Sequence, residues 1–246
     1  MKLPNRSCCF IAFFFACAIL SGCGMFTPAP KPDIGPAGKP VESKPNPPVV
    51  ERFQAAPVEM YDLEALAGAV FEGASKENWP HAQGNFEQLR STWEQIKVAV
   101  GDKKGVKEAD EALEKLTAAI SAKQSKESFE NLIKFMASAS DVGKSYKLSP
   151  IADIVSIGNS IRNVSFYVEE KEWTKSASKM KELEGTWKHS KPALEQVGIL
   201  SETTKIHSRV NQLKDAVIAE SQGASQEHIA SLNESMSIIR QYYRGK

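Results

Sequence analysis

The sequence predicts an all-α body made of two copies of a four-helix unit, carried behind a disordered, proline-rich tether. Four observations predict it. Beyond residue 57 apolar side chains recur at intervals of three and four, in Met60, Leu63, Ala67, Val70 and Ala74 and again in Ile151, Ile154, Gly158, Ile161 and Val168. No alternating Val, Ile and Thr run bounded by turn residues marks a strand. Nine of the thirteen prolines are confined to Thr27–Pro57, and the four tryptophans fall into two pairs, Trp79 with Trp93 and Trp173 with Trp187, each 14 residues apart. With 41% hydrophobic and 25% charged residues the chain has the composition of a folded protein.

Residues Met1 to Cys23 open with Lys2 and Arg6 and continue into a 13-residue apolar run, Cys8 to Leu20. That run has the length of a secretory h-region, whereas a membrane-spanning helix needs about 20 apolar residues. It closes on Leu20-Ser21-Gly22-Cys23, which resembles the cleavage box of bacterial lipoproteins. The resemblance implies a signal peptide over residues 1–22, a diacylglycerol on the Cys23 thiol, and a body held on the outer face of the cell membrane. Gly24 in place of an acidic residue would suit sorting to the outer membrane where two membranes exist. The alternative is an ordinary signal peptide that happens to contain a cysteine. All four cysteines, Cys8, Cys9, Cys17 and Cys23, lie in this segment, so the mature chain forms no internal disulfide. Two or more acyl chains hold a protein firmly, because each buried methylene contributes about 0.8 kcal/mol and one chain alone is marginal.

Residues 23–57 read as a linker. Pro28-Ala29-Pro30-Lys31-Pro32 and Pro45-Asn46-Pro47-Pro48 carry no helical period and favour extended polyproline II. At ~3.1 Å per residue such a linker reaches on the order of 100 Å. The body then divides into a first copy, 58–147, and a second, 148–246.

Each copy reads as four helices, at 58–76, 78–99, 104–122 and 126–146, then 150–170, 172–191, 202–221 and 225–243. Pro80 follows Asn78-Trp79 at a helix start, Ser149-Pro150 reads as an N-cap followed by proline at the first helical position, and Pro192 marks a kink or stop. An offset of 94 superposes Val70 on Val164, Trp79 on Trp173, Leu89 on Leu183 and Trp93 on Trp187. Further along, an offset of 97 superposes Leu116 on Leu213, Ala119 on Ala216, Ser138 on Ser235 and Tyr146 on Tyr243. The added residues are expected in a loop at Val197–Thr204. Whether the copies form two bundles or one stack is left open by the pattern.

The second helix of each copy keeps a seven-residue beat, Trp79-Phe86-Trp93-Val100 and Trp173-Met180-Trp187-Leu194, which places these side chains on one core-facing stripe. The alternative is an aromatic platform, with Trp79 or Trp173 exposed at a groove between the copies. In the last helices Phe129, Leu132, Ile133, Met136, Ala139 and Tyr146, and Ile229, Leu232, Met236, Ile239 and Tyr243, supply the complementary stripe. The first copy also resembles a family of small, membrane-attached helical proteins of unknown function, found mainly in spore-forming Gram-positive bacteria. The matching text is Glu77-Asn78-Trp79, then Phe86, Leu89 and Trp93, Glu111 to Leu116, and Ala122 to Glu127. The resemblance implies an envelope-facing helical domain and brings no catalytic or ligand residue.

Chemistry-bearing patterns are sparse. His189, His207 and His228 have no acidic residue three or four positions away, and His81 has Glu77 only across the expected helix break. The four histidines occupy non-equivalent places in the two copies, His207 opposite Asp110 among them. Gly143-Lys144-Ser145 lacks the upstream glycine of a phosphate loop, and no nucleophile elbow occurs. No catalytic residue, metal or cofactor is expected. Charge is balanced, with 31 Lys and Arg against 30 Asp and Glu, and the formal +1 becomes -1 once Lys2 and Arg6 leave, which argues against nucleic acid. The expectation is a non-catalytic interaction or structural module of the cell envelope, meeting an envelope protein or wall polymer; a small-ligand, glycan or metal binder using an inter-copy groove is the alternative.

Overall fold

The computed structural model describes residues 55–195 and 199–245. The expected signal peptide, Cys23 and all but the last residues of the tether lie outside these residues. Eight helices occur among them: α1 Glu59–Ser75, α2 Trp79–Val100, α3 Val106–Ser121, α4 Ser125–Gly143, α5 Ile151–Glu169, α6 Trp173–Glu195, α7 Leu200–Ile218 and α8 Gln222–Arg244. No strand occurs among the described residues, and none of their helices is long and apolar enough to cross a membrane.

Four tight turns set the layout. Glu77, Lys123, Lys171 and Glu220 adopt positive φ of 54°, 56°, 56° and 51° at the ends of α1, α3, α5 and α7. At each, the following N–H reaches back to a carbonyl five residues earlier: Asn78 to Gly73 (2.8 Å), Gln124 to Ala119 (3.0 Å), Glu172 to Tyr167 (2.9 Å) and Ser221 to Ala216 (3.0 Å). This is the left-handed cap that satisfies the last carbonyls of a helix. Each next helix begins at once, so α1–α2, α3–α4, α5–α6 and α7–α8 are hairpins. The first and third turns lie 94 residues apart and the second and fourth 97, the two offsets seen in the sequence.

Several expected boundaries move. Proline 150 occupies the cap of α5, with Ser149 Oγ accepting from the Ile151 N–H at 3.3 Å. Helix α6 passes through Pro192 to Glu195 because Leu194 continues the buried stripe of Met180 and Trp187 and its carbonyl accepts from the Tyr243 hydroxyl at 3.3 Å. Instead of a loop to Thr204, α7 begins at Leu200, since Thr203 and Ile206 are fully buried one and two turns in. The cap at Glu220 brings the start of α8 forward to Gln222.

Helices α1 to α4 pack in a ring, α1 on α2, α2 on α3, α3 on α4 and α4 back on α1, and α5 to α8 repeat this arrangement. The rings meet where α4 lies on α5, α8 on α1 and α1 on α5. One hydrophobic core runs through both. Small residues permit the closest approaches: a Cβ on Gly73 would stand 2.6 Å from the Ala82 backbone nitrogen in the α1–α2 hairpin. Gly84 has nothing within 4 Å of such a Cβ. In urea denaturation Gly73→Ala is expected to lose about 1–3 kcal/mol, while Gly84→Ala is expected to gain up to about 1 kcal/mol from helix propensity.

Candidate functional site

The aromatic residues singled out by the sequence lie in or against the core. Trp93, Trp187, Phe86 and Met180 are buried, and Trp79 and Trp173 are half-buried against the same cluster. Trp93 meets Phe135 edge to face at 5.4 Å. Its Nε1–H donates to Asp110 Oδ1 (2.7 Å), and that of Trp187 donates to His207 Nδ1 (3.2 Å). Asp110 and His207 stand opposite each other at the 97 offset, so a histidine whose place looked non-equivalent does the work of its acidic counterpart. Both are acceptors that a buried indole requires.

A groove does lie between the two rings, but no tryptophan lines it. It is about 670 Å³ in volume and is bounded by α1, α5 and α8. Its polar centre is a buried ion cluster that the sequence reading missed. The Glu64 carboxylate, 2% exposed, accepts from Arg162 Nη1 at 2.9 Å through Oε1 and from Arg240 Nη1 through Oε2. Arg162 is itself 5% exposed. Space for the carboxylate comes from Gly158, where a Cβ would sit 2.0 Å from Glu64 Oε1. Burial pulls the Arg162 guanidinium below its ordinary pKa, and the charge and hydrogen bond of Glu64 oppose that. Arg162 Nε and Nη2 have no hydrogen-bond partner among the described residues.

The junction on the other side is closed. There Phe71 of α1, Phe129 of α4 and Phe166 of α5 fill the space, with Phe129 and Phe166 stacked at 3.9 Å and 6°, and only about 10 Å³ is left. At the two sequence offsets the counterparts of these three phenylalanines are Ser165, Gln226 and Glu72, all of which line the groove. Removing three rings from one junction is what opens it. Conversely, the counterparts of Glu64, Arg162 and Arg240 are Gly158, Gly68 and Gly143. Gly143 lets α4 approach α5, where its Cβ would meet Ala152 Cα at 3.2 Å.

At the far end of the groove Lys76 donates to Glu72 at 2.7 Å, and that hydrogen bond holds the Glu72 carboxyl below the usual range. Glu169, two turns beyond Arg162 on α5, is pushed up by burial, with hydrogen bonds from Ser165 and Ser75 and the charge of Lys76 opposing and Glu170 adding to the rise. Among the described residues no group of three or more His, Cys, Asp and Glu side chains converges as a metal site. No protein-family model matches the chain, and no curated protein or solved structure does.

Glu64→Ala is expected to cost about 3–5 kcal/mol by stranding Arg162 in the interior, and Glu64→Ala combined with Arg162→Met to recover most of the loss; urea denaturation of the single and double variants measures this. Glu169 predicts a pH effect. Its folded-state pKa lies above the unfolded one, so its contribution to stability is present below the unfolded value and is lost as pH rises through the folded value. Glu169→Gln is therefore expected to gain stability relative to the parent chain at pH 7 and to lose that advantage near pH 4, read from melting temperatures.

Proposed function

We propose that this is a lipid-anchored, extracytoplasmic protein whose internally duplicated helical body acts as a non-catalytic interaction or structural module of the cell envelope. The observation that carries this reading is Leu20-Ser21-Gly22-Cys23 followed by a proline-rich stretch and then by a helical body. A thiol at that place accepts diacylglycerol, and the prolines hold the body away from the lipid surface. The matching turns at offsets of 94 and 97 support descent of the halves from one unit.

A specific feature favours a second reading, in which the body binds a small ligand. The α1–α5–α8 junction carries serine, glutamine and glutamate where its counterpart carries phenylalanines, and the space so opened has the volume of a ligand site.

Cells expressing the full chain are expected to incorporate labelled palmitate and to place the protein in the membrane fraction. Cys23→Ala should abolish the label and release the protein. Palmitate incorporation that survives Cys23→Ala would overturn the anchor.

A further inference from the structure

We propose that the groove bounded by α1, α5 and α8 is a binding site for a small organic carboxylate, received by Arg162 and assisted by Arg240. The inference rests on the binding reading of the groove and names the chemical class it takes.

The donor geometry carries the argument. A guanidinium presents its N–H groups along three edges, and the edge shared by Nε and Nη2 offers two parallel donors matched to the two oxygens of a carboxylate. Glu64 engages Arg162 only through Nη1. Nε and Nη2 are shielded from solvent without a partner among the described residues, although buried charged donors are costly to leave unsatisfied. A bidentate oxyanion would satisfy both donors once the side chains that shield them from the groove move aside.

Charge balance points the same way. Glu64 is shared between Arg162 and Arg240, so this end of the groove holds two cations and one anion. Lys76 and Glu72 form their own pair at the other end. The whole lining balances three bases, Lys76, Arg162 and Arg240, with three acids, Glu64, Glu72 and Glu169, so the local excess of cation at the arginine end favours a monoanion there. Glu169 lies seven residues from Arg162 on α5, about 10 Å along the helix axis. Burial raises its pKa, and its carboxyl would welcome a hydrogen-bonding group at the ligand's far end.

Space exists for the rest of the molecule. Phe71, Ile161 and Ile229 provide apolar wall, while Ser165, Gln226 and Asn233 provide polar contacts. The ligand body would occupy the volume that, at the closed junction, the rings of Phe129 and Phe166 take up.

The test is isothermal titration of the full chain in uncharged detergent with benzoate, hexanoate and glucuronate, each beside its uncharged amide, and with hexylammonium. At least one carboxylate is expected to bind about tenfold or more tightly than its amide. Arg162→Lys, which loses the parallel pair of donors, is expected to erase that preference. Because Arg162 variants are at risk of misfolding, Gly68→Leu serves as the second variant. A Cβ at Gly68 meets nothing within 4 Å, and the residue lines the groove, so leucine there is expected to extend into the site. It is expected to weaken binding about tenfold or more with an unchanged helical circular dichroism spectrum. Amides or hexylammonium binding as tightly as the carboxylates, and sensitively to Gly68→Leu, would overturn the carboxylate assignment and leave the groove as a site. Carboxylate binding indifferent to Gly68→Leu, or no binding by any probe, would overturn both.

Discussion

A single buried carboxylate governs how the halves of this protein meet. Glu64 is held by Arg162 from the facing ring and by Arg240 from the last helix, so three helices distant in sequence depend on one ion cluster. Desolvating these groups is expensive, and their mutual attraction offsets that expense only while all partners remain. The cluster therefore contributes less to net stability than to geometry. It admits one arrangement of α1, α5 and α8, and Gly158 is the void into which the carboxylate fits.

The two junctions show opposite solutions to one packing problem. Where α4 meets α5, Gly143 brings backbones together, Ser140 donates to the Ala152 carbonyl at 3.0 Å, and stacked phenylalanines exclude water. Where α8 meets α1, arginine and glutamate replace glycine, and serine and glutamine replace phenylalanine. Bulky charge at the helix contacts and missing rings beyond them leave an open groove. The four hairpin turns keep the same hydrogen bonds in both rings, so this contrast between the junctions is read in their side chains.

Much of this fold was legible in the sequence because helices and their buried faces follow a 3.6-residue period, and Trp93, Phe86, Met180 and Trp187 lie in the core as that period requires. The helix ends were harder. Lysine and glutamate at Glu77, Lys123, Lys171 and Glu220 carry no compositional mark of a left-handed residue, and Pro192 reads as a kink or a stop where a buried Leu194 sustains the helix to Glu195. A groove between the copies stood only as the alternative reading, and the tryptophan stripe carries no sign of the charged residues that line the one seen here. A usable signal existed: Glu64 lies four residues from Met60 and three from Ala67 on the apolar face, and Arg162 lies four from Gly158 within an isoleucine-rich helix. Charges on a buried stripe, each opposite a glycine at the 94 offset, point to a cross-ring pair.

That exchange of glycine for charge also disfavours the pairing of like halves. Were the first halves of two molecules to pack on each other, Glu64 would oppose a second Glu64 in a dry interior. Two second halves would bring Arg162 against Arg162. Like charges so placed repel strongly, whereas the native match is complementary. The complementary match of Glu64 with Arg162 and Arg240 thereby favours the meeting of unlike halves over like ones.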